Sequence, residues 1–341
     1  MSTKDLIKHK DLSVTALYTA HTWDWAGFPY AHVFANDQTN GVFSVTNLFI
    51  WLAHLLKSSP PSLPYSLLQR HSVIDQVVER SSYLQVIELA SGLSARALRC
   101  TDLFSAEKFG KLENLDTTYV ASKFCHFDVQ DLTERRSILQ DHKRSQRSYF
   151  EVDLPHVIEH KKYCISQYGQ ALGVENISSH MQASKITWQG LDIKQDDLAW
   201  VPSQKSVFIA EGLCMYLQAD EQRSLWQKIY HRLSTIGGGT FVFDLVPTCE
   251  QAQPGIMGKL LRSLMHLFTG GQSFTADPRG RHEICQELVT IGFEQVQMID
   301  PSDQQSYASY HIPVSKQRTQ QLIFIMQVNP NSDIEQPPPT V

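Results

Sequence analysis

From residue 83 onward, short apolar runs alternate with stretches of helical periodicity, and this alternation constrains the fold more than any other feature of the 341-residue chain. Six runs have the length of single strands: residues 83–89, 185–188, 206–210, 239–245, 293–299 and 321–328. The segment 149–155 supplies the predicted second strand, which ends at Asp153. Apolar runs this short, separated by helices, are typical of a mainly parallel sheet with helices on both faces. We therefore predict an α/β fold in which the last two strands pair as an antiparallel edge.

Two of the connecting helices carry clear end signals. Asp220 is the predicted N-cap of a helix that the glycines at 237–239 stop. Asp277 and Pro278 open a second predicted helix, and Gly292 ends it.

Differences in sequence character divide the chain into three segments. Residues 1–82 have mostly helical patterns broken by prolines, and they form a predicted N-terminal helical cap. Residues 83–328 form the predicted main domain, which contains a highly charged insertion at about 101–148. Residues 329–341 include three consecutive prolines and are predicted to be a disordered tail.

The charge balance and the cysteine spacing disfavour several classes of partner. Thirty Lys and Arg against 35 Asp and Glu give a net charge of -5, which is unfavourable for binding a nucleic-acid backbone. The six cysteines show no paired spacing, so neither a disulfide framework nor a metal site is predicted, and a reducing cytoplasm fits best. The polar start and the short apolar stretch at 42–56 predict neither an export signal nor a membrane span. We expect a cytoplasmic protein that acts on a small molecule, and the oligomeric state stays open.

The first cluster of functional side chains runs from Glu88 to Arg96. A predicted strand leads into a turn of small residues and then into a helix, and ligands of open α/β sheets bind at the carboxyl ends of strands. Small side chains allow a ligand close to the backbone, helix N-terminal amides favour an anion, and Arg96 offers a two-pronged donor for a carboxylate. The alternative is a tight strand–helix turn with a surface arginine.

Two further clusters place acidic residues after predicted strands. Asp153 ends the second strand, where a carboxylate can accept hydrogen bonds from both hydroxyls of a ribose. It also suits a helix cap, with Pro155 in the first turn. Glu211 follows the strand at 206–210 and enters the central crevice, where an unpaired buried carboxylate would be costly. Its alternative role is a pair with a nearby cation.

Together the clusters resemble the leucine carboxyl methyltransferase family, in particular its bacterial branch of small-molecule O-methyltransferases of the tetracenomycin-biosynthesis type. VIELASGLSAR is similar to the family's first motif, FEVDLPHVIEHKK to its second, WQGLDI to its third and FIAEGLCMYL to its fourth. TALYTA, at 15–20, is similar to a helix near the family's N-terminus. The resemblance covers most of the chain, from residue 12 to residue 328.

The resemblance implies a class I S-adenosylmethionine-dependent methyltransferase fold, Rossmann-like, with a mainly parallel seven-stranded sheet and an N-terminal helical cap. It implies S-adenosylmethionine as cofactor and S-adenosylhomocysteine as product. Arg96 would hold the methionine carboxylate, and Gly92 would allow close backbone approach. The other implied cofactor contacts are Asp153 and Leu154 at the ribose, Asp192 and Ile193 at the adenine, Glu211 at the methionine amino group and Glu88 in support of the loop.

The sequence departs from the family pattern in the first motif. Ala90 stands at the family's usual first glycine, and Ser94 stands at the aspartate before the arginine. Gly92 and Asp153 lie 61 residues apart, so the charged insertion is expected to loop out before the second strand. If it does not, Asp116 or Asp128 would be the ribose ligand.

The implied reaction is methyl transfer to a carboxylate or hydroxyl oxygen of a small acceptor, apolar or aromatic. A carboxylate is ionised near neutral pH and needs no base, whereas a phenol, with a reference pKa of about 10, is helped by one. Tyr216 and His21 are the candidate catalytic residues, in positioning roles. His32 and His282 are further candidate bases, and all of these side chains also suit structural roles.

The aromatic residues between 18 and 30 and the helix at 42–56 are candidates for the roof of an acceptor pocket. The alternative is a helical cap that simply packs on the sheet.

A hydrolase is the rival interpretation from a different class. Ser94 lies in a sequence one glycine short of a nucleophile elbow, and Asp244 and His282 follow in the order that an α/β-hydrolase uses. Arg96 replaces the glycine that permits the sharp elbow, and the upstream residues lack the strands that should precede it. We therefore favour methyl transfer.

Overall fold

Seven strands form one sheet in the computed structural model, which describes residues 12–55, 63–101, 147–174, 177–247, 277–303 and 321–329. The strand order is β3-β2-β1-β4-β5-β7-β6. Neighbours from β3 to β5 pair in parallel, and β7 is antiparallel to both β5 and β6. The strands are β1 (Gln85–Leu89), β2 (Ser148–Asp153), β3 (Ile186–Gly190), β4 (Ser206–Ala210), β5 (Gly239–Leu245), β6 (Glu294–Ile299) and β7 (Leu322–Val328).

This sheet confirms the predicted α/β class, with its mainly parallel sheet and its antiparallel edge. The second strand begins at Ser148 and pairs directly with β1, as expected for a chain that returns after the charged insertion. Residues 102–146 of that insertion, which include Asp116 and Asp128, lie outside the described residues, as does the tail from residue 330.

Eight α-helices lie in the described ranges and connect or cover these strands. They are α1 (Val14–Trp25), α2 (Asp37–Leu55), α3 (Leu63–Arg80), α4 (Arg96–Thr101), α5 (Pro155–Ala171), α6 (Ile177–Ala183), α7 (Ala219–Thr235) and α8 (Arg281–Ile291). The apolar stretch predicted as a helix lies within α2, except for residue 56, which is outside the described part. None of the helices described combines the length and apolarity that crossing a bilayer requires.

The two faces of the sheet carry separate apolar cores because side chains alternate along each strand. On one face, Val86 and Ile209 pack with α1, α3 and α5 in a core that includes Trp23 and Ile74. On the other face, α7 packs against β5 and β7, and α8 packs against β6. The buried apolar residues of these two helices are Leu225, Trp226, Ile229, Leu233, Ile284 and Leu288.

The predicted starts of α7 and α8 are wrong by a few residues, whereas their ends are placed well. The N-cap of α7 is Gln218, whose backbone N–H donates to the Glu221 carboxylate, and Asp220 lies inside the first turn. Similarly, Gly280 precedes α8, and its N–H donates to the side chain of Glu283. In each helix, a glutamate three residues after the N-cap accepts a hydrogen bond from the N-cap amide. This pairing sets the start of each helix, rather than the predicted Asp220 or Asp277.

The turn after β1 is strained at one residue. Ala90 has a φ of 51°, in the left-handed region that a residue with a Cβ rarely adopts, and Gly92 has a φ of 50°. Ala90 is the position at which the resembling family usually has glycine. The backbone at Ala90 therefore has the left-handed conformation that favours glycine, although the residue is an alanine.

We expect Ala90→Gly to raise the free energy of unfolding by about 0.5–1 kcal/mol. The left-handed conformation costs an alanine about 1–2 kcal/mol, and glycine gives back about 0.4–1 kcal/mol of this as extra unfolded-state entropy. Urea unfolding measures the change. Ala97→Gly, within α4, is the control and should lower the stability; a similar loss at Ala90 would show that the turn carries no such strain.

Candidate functional site

A row of carboxylates crosses the carboxyl edge of the sheet on the face that α3 covers. Glu88 of β1 lies level with Glu151 of β2, and Glu211 follows β4 level with Asp244 of β5. Asp153 ends β2 on the same face. We call these five residues the acid row: Glu88, Glu151, Asp153, Glu211 and Asp244. Buried carboxylates at neighbouring positions are costly unless cations and hydrogen bonds compensate them, so their partners decide what the edge can bind.

Arg96, the first residue of α4, is the hub of this network. Its Nε lies 2.5 Å from Asp75 of α3, and its two terminal nitrogens lie 2.5 Å from Glu88 and 2.5 Å from Glu211. The residue is 1% exposed, so it is not a surface arginine. Each guanidinium nitrogen donates to a carboxylate of the protein, so Arg96 joins the acid row to α3. A guanidinium has five N–H donors, and the expected contact of Arg96 with a methionine carboxylate stays a prediction.

Glu88 holds two neighbouring side chains at the end of β1. Its second carboxylate oxygen accepts a 2.5 Å hydrogen bond from the Tyr149 hydroxyl. Burial, followed by the charge of Glu88, raises the pKa of Tyr149 well above its usual value, so the phenol stays protonated and donates. Glu88 thus fixes both Tyr149 and Arg96 beside the turn after β1.

Arg70 of α3 supplies a second buried guanidinium that the sequence interpretation missed. It donates from Nε to Glu211 at 3.0 Å and from one terminal nitrogen to Asp244 at 3.1 Å. Its other terminal nitrogen has no hydrogen bond among the described residues, and it lies 3.4 Å from where a Cβ on Gly212 would be. Gly212 has a φ of 68°, and its N–H donates to Asp244 at 2.5 Å, so the turn after β4 wraps closely around Arg70.

His71 stands beside Arg70 on α3 and is completely buried. Its Nδ1 lies 2.9 Å from Glu211, and its Nε2 lies 2.7 Å from a terminal nitrogen of Arg99 on α4. Arg99 also donates to Asp75 at 2.8 Å. Burial and the neighbouring Arg96 lower the pKa of His71, so the imidazole is neutral near pH 7.

Glu211 is the acceptor for three of these donors, namely Arg70, His71 and Arg96. Burial acts to raise the pKa of Glu211, but the three donors outweigh it and hold the pKa well below its ordinary value. Glu211 is therefore ionised, and its predicted alternative role as one half of an ion pair is part of the observed arrangement.

Lys161 of α5 neutralises the β2 end of the acid row. Its Nζ lies 2.5 Å from Glu151, donates to the Ser91 hydroxyl at 3.3 Å and lies 5.5 Å from the centre of the Phe34 ring. The indole N–H of Trp188, in β3, donates to the other oxygen of Glu151 at 2.7 Å. Because Ser91 precedes Gly92, Lys161 ties the turn after β1 to β2.

Asp153 closes the crevice between β1 and β2. It accepts one hydrogen bond on each oxygen, from the Gly92 N–H at 2.7 Å and from the Leu154 N–H at 2.7 Å. Each oxygen has two acceptor sites, so each keeps capacity for a further donor. Burial raises the pKa of Asp153, against the two backbone donors that lower it. Leu154 is 41% exposed.

Asp192 and Ile193 lie in the turn after β3. Asp192 is half-buried and accepts hydrogen bonds from the Lys194 N–H and from the Gln195 side chain, so part of its capacity maintains its own turn. Ile193 lines a groove of about 200 Å³ that Leu217 and the first turns of α7 close. Charged side chains also line the groove, so its lining is mixed rather than apolar: Lys194, Asp220, Glu221 and Lys228.

The predicted catalytic residues lie near α1 but not beside each other. The Tyr216 hydroxyl donates to Thr15 at 2.8 Å, and burial raises the pKa of Tyr216, which favours a hydrogen-bond donor over a base. His21, on α1, packs against Phe43 of α2 with ring centres 4.7 Å apart. His32 packs against Tyr168, and burial lowers its pKa. α1 itself passes over the turn after β1.

The structure does not form the hydrolase triad. The Ser94 hydroxyl is buried and accepts from the Arg96 backbone N–H, whereas the Asp244 carboxylate is held by Arg70 and Gly212. His282 is exposed on α8, within 2.9 Å of Gln286. A nucleophile and its base must lie within hydrogen-bonding reach, and these three side chains bond to other residues, so the esterase alternative is wrong.

Sequence reasoning found the acids of the site better than their cations. Arg70, His71 and Asp75 were missed although they lie together on α3. The available signal was weak: charged residues stand between the apolar residues Leu68 and Ile74 of a helix that we predicted only as part of a cap. Burial of polar residues on a helix cannot be recognised from its sequence until the surface that the helix packs against is known.

Comparison with known proteins supports the predicted class. Residues 138–230 match the family model of leucine carboxyl methyltransferase, a range that runs from just before β2 into α7 and contains the second, third and fourth motifs. Over this part of the chain the match agrees with the family that the motifs resemble, and it supports S-adenosylmethionine-dependent methyl transfer as the class of reaction. It does not distinguish the tetracenomycin-type branch, which stays a prediction.

Several solved structures are similar to this chain. A candidate methyltransferase from Thermobifida fusca is 11% identical, with a TM-score of 0.49, over 92% of this chain and 94% of that one. A candidate O-methyltransferase from Nostoc punctiforme is 13% identical, with a TM-score of 0.40, over 79% of this chain and 62% of that one. Human N-acetylserotonin methyltransferase, in complex with S-adenosylmethionine, is 13% identical, with a TM-score of 0.41, over 92% and 66%.

We expect Arg96→Leu to lower the free energy of unfolding by at least about 3 kcal/mol, because removing one partner leaves buried carboxylates uncompensated. Urea unfolding at neutral pH measures the loss. The control is Lys162→Leu, since that side chain is 40% exposed and paired with Glu159, which is 75% exposed; such surface pairs contribute about 1 kcal/mol or less. Equal losses in the two variants would contradict the central role of Arg96.

Proposed function

We propose that this enzyme transfers the methyl group of S-adenosylmethionine to a carboxylate or hydroxyl oxygen of a small, apolar or aromatic acceptor. The carboxyl edge of the sheet is the proposed cofactor site. The observation that carries this placement is the charge of that edge, together with the arrangement of its unused hydrogen-bonding groups.

The edge has an excess of negative charge in the described part of the chain. The acid row and Asp75 contribute six carboxylates. Four cationic side chains pair with these carboxylates, namely Arg70, Arg96, Arg99 and Lys161. His71 is neutral near pH 7 because burial and Arg96 lower its pKa. A ligand with a sulfonium, an ammonium group and a carboxylate has a net charge of +1, so it reduces this excess, whereas a neutral or anionic ligand would not.

Asp153 is the proposed ribose ligand. Its two oxygens each accept one backbone hydrogen bond and retain one acceptor site, which suits a pair of neighbouring hydroxyls. The Gly92 N–H that orients the carboxylate belongs to the turn that the cofactor would approach. Helix capping, the alternative role of Asp153, does not compete with this, because the N-cap of α5 is Leu154 and it has no side-chain cap hydrogen bond.

Arg70 replaces Arg96 as the proposed partner of the methionine carboxylate. It reaches the same edge, it keeps one terminal nitrogen without a described partner, and it lies against the turn at Gly212. Glu211, which Arg70 orients, is the proposed partner of the amino group. Asp192 and Ile193 are the proposed adenine contacts, next to the groove that Leu217 closes.

The cofactor, once bound, supplies a methyl group that its sulfonium already activates, so the protein mainly has to align the acceptor oxygen and exclude water. α1 covers the turn after β1, since Ala16 lies 3.9 Å from where a Cβ on Gly92 would be. Tyr216 bonds to Thr15 of the same helix. We infer that α1 and Tyr216 form one wall of the acceptor pocket and that His21 lies farther out, beside Phe43.

Asp153→Ala should weaken S-adenosylmethionine binding by about 1.5–3 kcal/mol, the usual contribution of hydrogen bonds to a charged group. Isothermal titration calorimetry measures the dissociation constant. Glu159→Ala, on the exposed face of α5, is the control and should bind as the wild type does. Wild-type protein without any affinity for the cofactor would contradict the proposed function, and unchanged affinity in Asp153→Ala would contradict the ribose contact.

The pH dependence of methyl transfer distinguishes the two acceptor types. With a carboxylic acid acceptor, of pKa about 4, the rate should be flat between pH 6 and pH 9 because the nucleophile is already ionised. With a phenol, of pKa about 10, the rate should rise with pH over this range. A panel of aromatic acids and phenols, with mass-spectrometric detection of the ester or ether, makes the measurement, and activity with neither class would contradict the proposed acceptor.

A further inference from the structure

His71 has an unusual set of neighbours for a residue that touches no predicted ligand. Its ring lies between two aromatic rings, with centres 4.5 Å from Trp23 of α1 and 5.4 Å from Phe28. The charged groups around it come from three elements: Asp75 of α3, Arg96 and Arg99 of α4, and Glu211 after β4. The side chain is therefore fixed in position and in contact with the covering helix α1 and with the acid row.

The hydrogen-bond partners define one tautomer of the neutral ring. Arg99 is always a donor, so Nε2, at 2.7 Å, must accept. Nδ1 then carries the proton and donates to Glu211 at 2.9 Å. The 2.8 Å approach of Arg96 to Nδ1 is then a close contact beside their shared partner Glu211.

The acceptor capacity of Glu211 is divided unequally between its two oxygens. A carboxylate has about four acceptor sites, two on each oxygen. Oε2 accepts from both His71 and Arg96, so both of its sites are filled. Oε1 accepts only from Arg70 among the described residues and keeps one site. The open acceptor site of Glu211 is thus confined to Oε1.

We propose that His71 is a positioning residue that fills the second site of Glu211 Oε2 and so fixes the open Oε1 site for a ligand ammonium group. This inference rests on the proposed function, since the ammonium group is that of S-adenosylmethionine. Without the His71 proton, Oε2 has a vacant site, and the carboxylate can rotate between arrangements that present either oxygen. Loss of the His71 donor therefore gives a weaker and less specific contact between Glu211 and the amino group.

A matched pair of variants separates this role from packing. In His71→Asn, the side-chain nitrogen is as many bonds from the backbone as Nδ1, so the donor to Glu211 is retained. In His71→Gln, the amide lies where Nε2 was, so the Arg99 contact is retained and the Glu211 donor is lost. Both variants lose the ring between Trp23 and Phe28, and both should lose similar stability.

Calorimetry with S-adenosylmethionine tests the proposal. We expect the dissociation constant to rise about threefold in His71→Asn and tenfold or more in His71→Gln, with His231→Gln, at an exposed position of α7, as the control for the substitution itself. Equal effects in the two variants would overturn the positioning role. If the wild-type protein does not bind S-adenosylmethionine at all, the proposed function is wrong. That outcome differs from binding by the wild type with equal effects in the two variants, which contradicts only the role of His71.

A second measurement needs no variant and applies even if the substitutions prevent folding. ¹⁵N NMR of the histidine side chains in the wild-type protein at pH 7 should show His71 neutral with its proton on Nδ1. A neutral ring with the proton on Nε2, or a doubly protonated ring, would overturn the assignment, because neither leaves Nε2 to accept from Arg99.

Discussion

The structure depends on the compensation of carboxylates that the sheet buries at its carboxyl edge. Glu88 and Glu151 are level in adjacent strands, and both are almost completely buried. Such an edge forms only if cations reach it from the surrounding helices, because a buried carboxylate without a partner costs several kcal/mol. Helices α3, α4 and α5 supply these cations as Arg70, Arg96 and Lys161. The network thereby joins α3 to the sheet by charge as well as by apolar packing.

The pairing of buried carboxylates with distant cations explains why the strands and their acids could be predicted from the sequence and the cations of α3 could not. Strands are local patterns, and the runs ending at Leu89, Asp153 and Ala210 lie where expected. The acids that follow them were found because the end of a strand marks the site. The donors Arg70 and His71 were not found, because they acquire their roles only when α3 packs against the sheet and reaches Glu211 and Asp244. Sequence alone does not specify that packing.

Arg96 illustrates the limit of arguing from a motif. Its position after a turn of small residues predicts a group that faces a ligand, and the residue is indeed at the carboxyl edge. Yet Asp75, on a helix 21 residues earlier, and Glu88 and Glu211 occupy its three nitrogens. The motif identified the right region of the sheet, and the long-range contacts of Arg96 could not be read from it. Arg70 lies outside every motif that we recognised, and it retains a terminal nitrogen without a hydrogen bond among the described residues.

We propose that the acid row, with Arg96 as its internal counter-ion, binds a sulfonium nucleoside. A crystal structure of the protein with S-adenosylhomocysteine tests this most directly. We expect the amino group on Oε1 of Glu211, the ribose on Asp153 and the bonds of Arg96 to Asp75 and Glu88 intact. A nucleoside bound away from the acid row, or an Arg96 released from those two residues to bind the ligand's carboxylate, would contradict it.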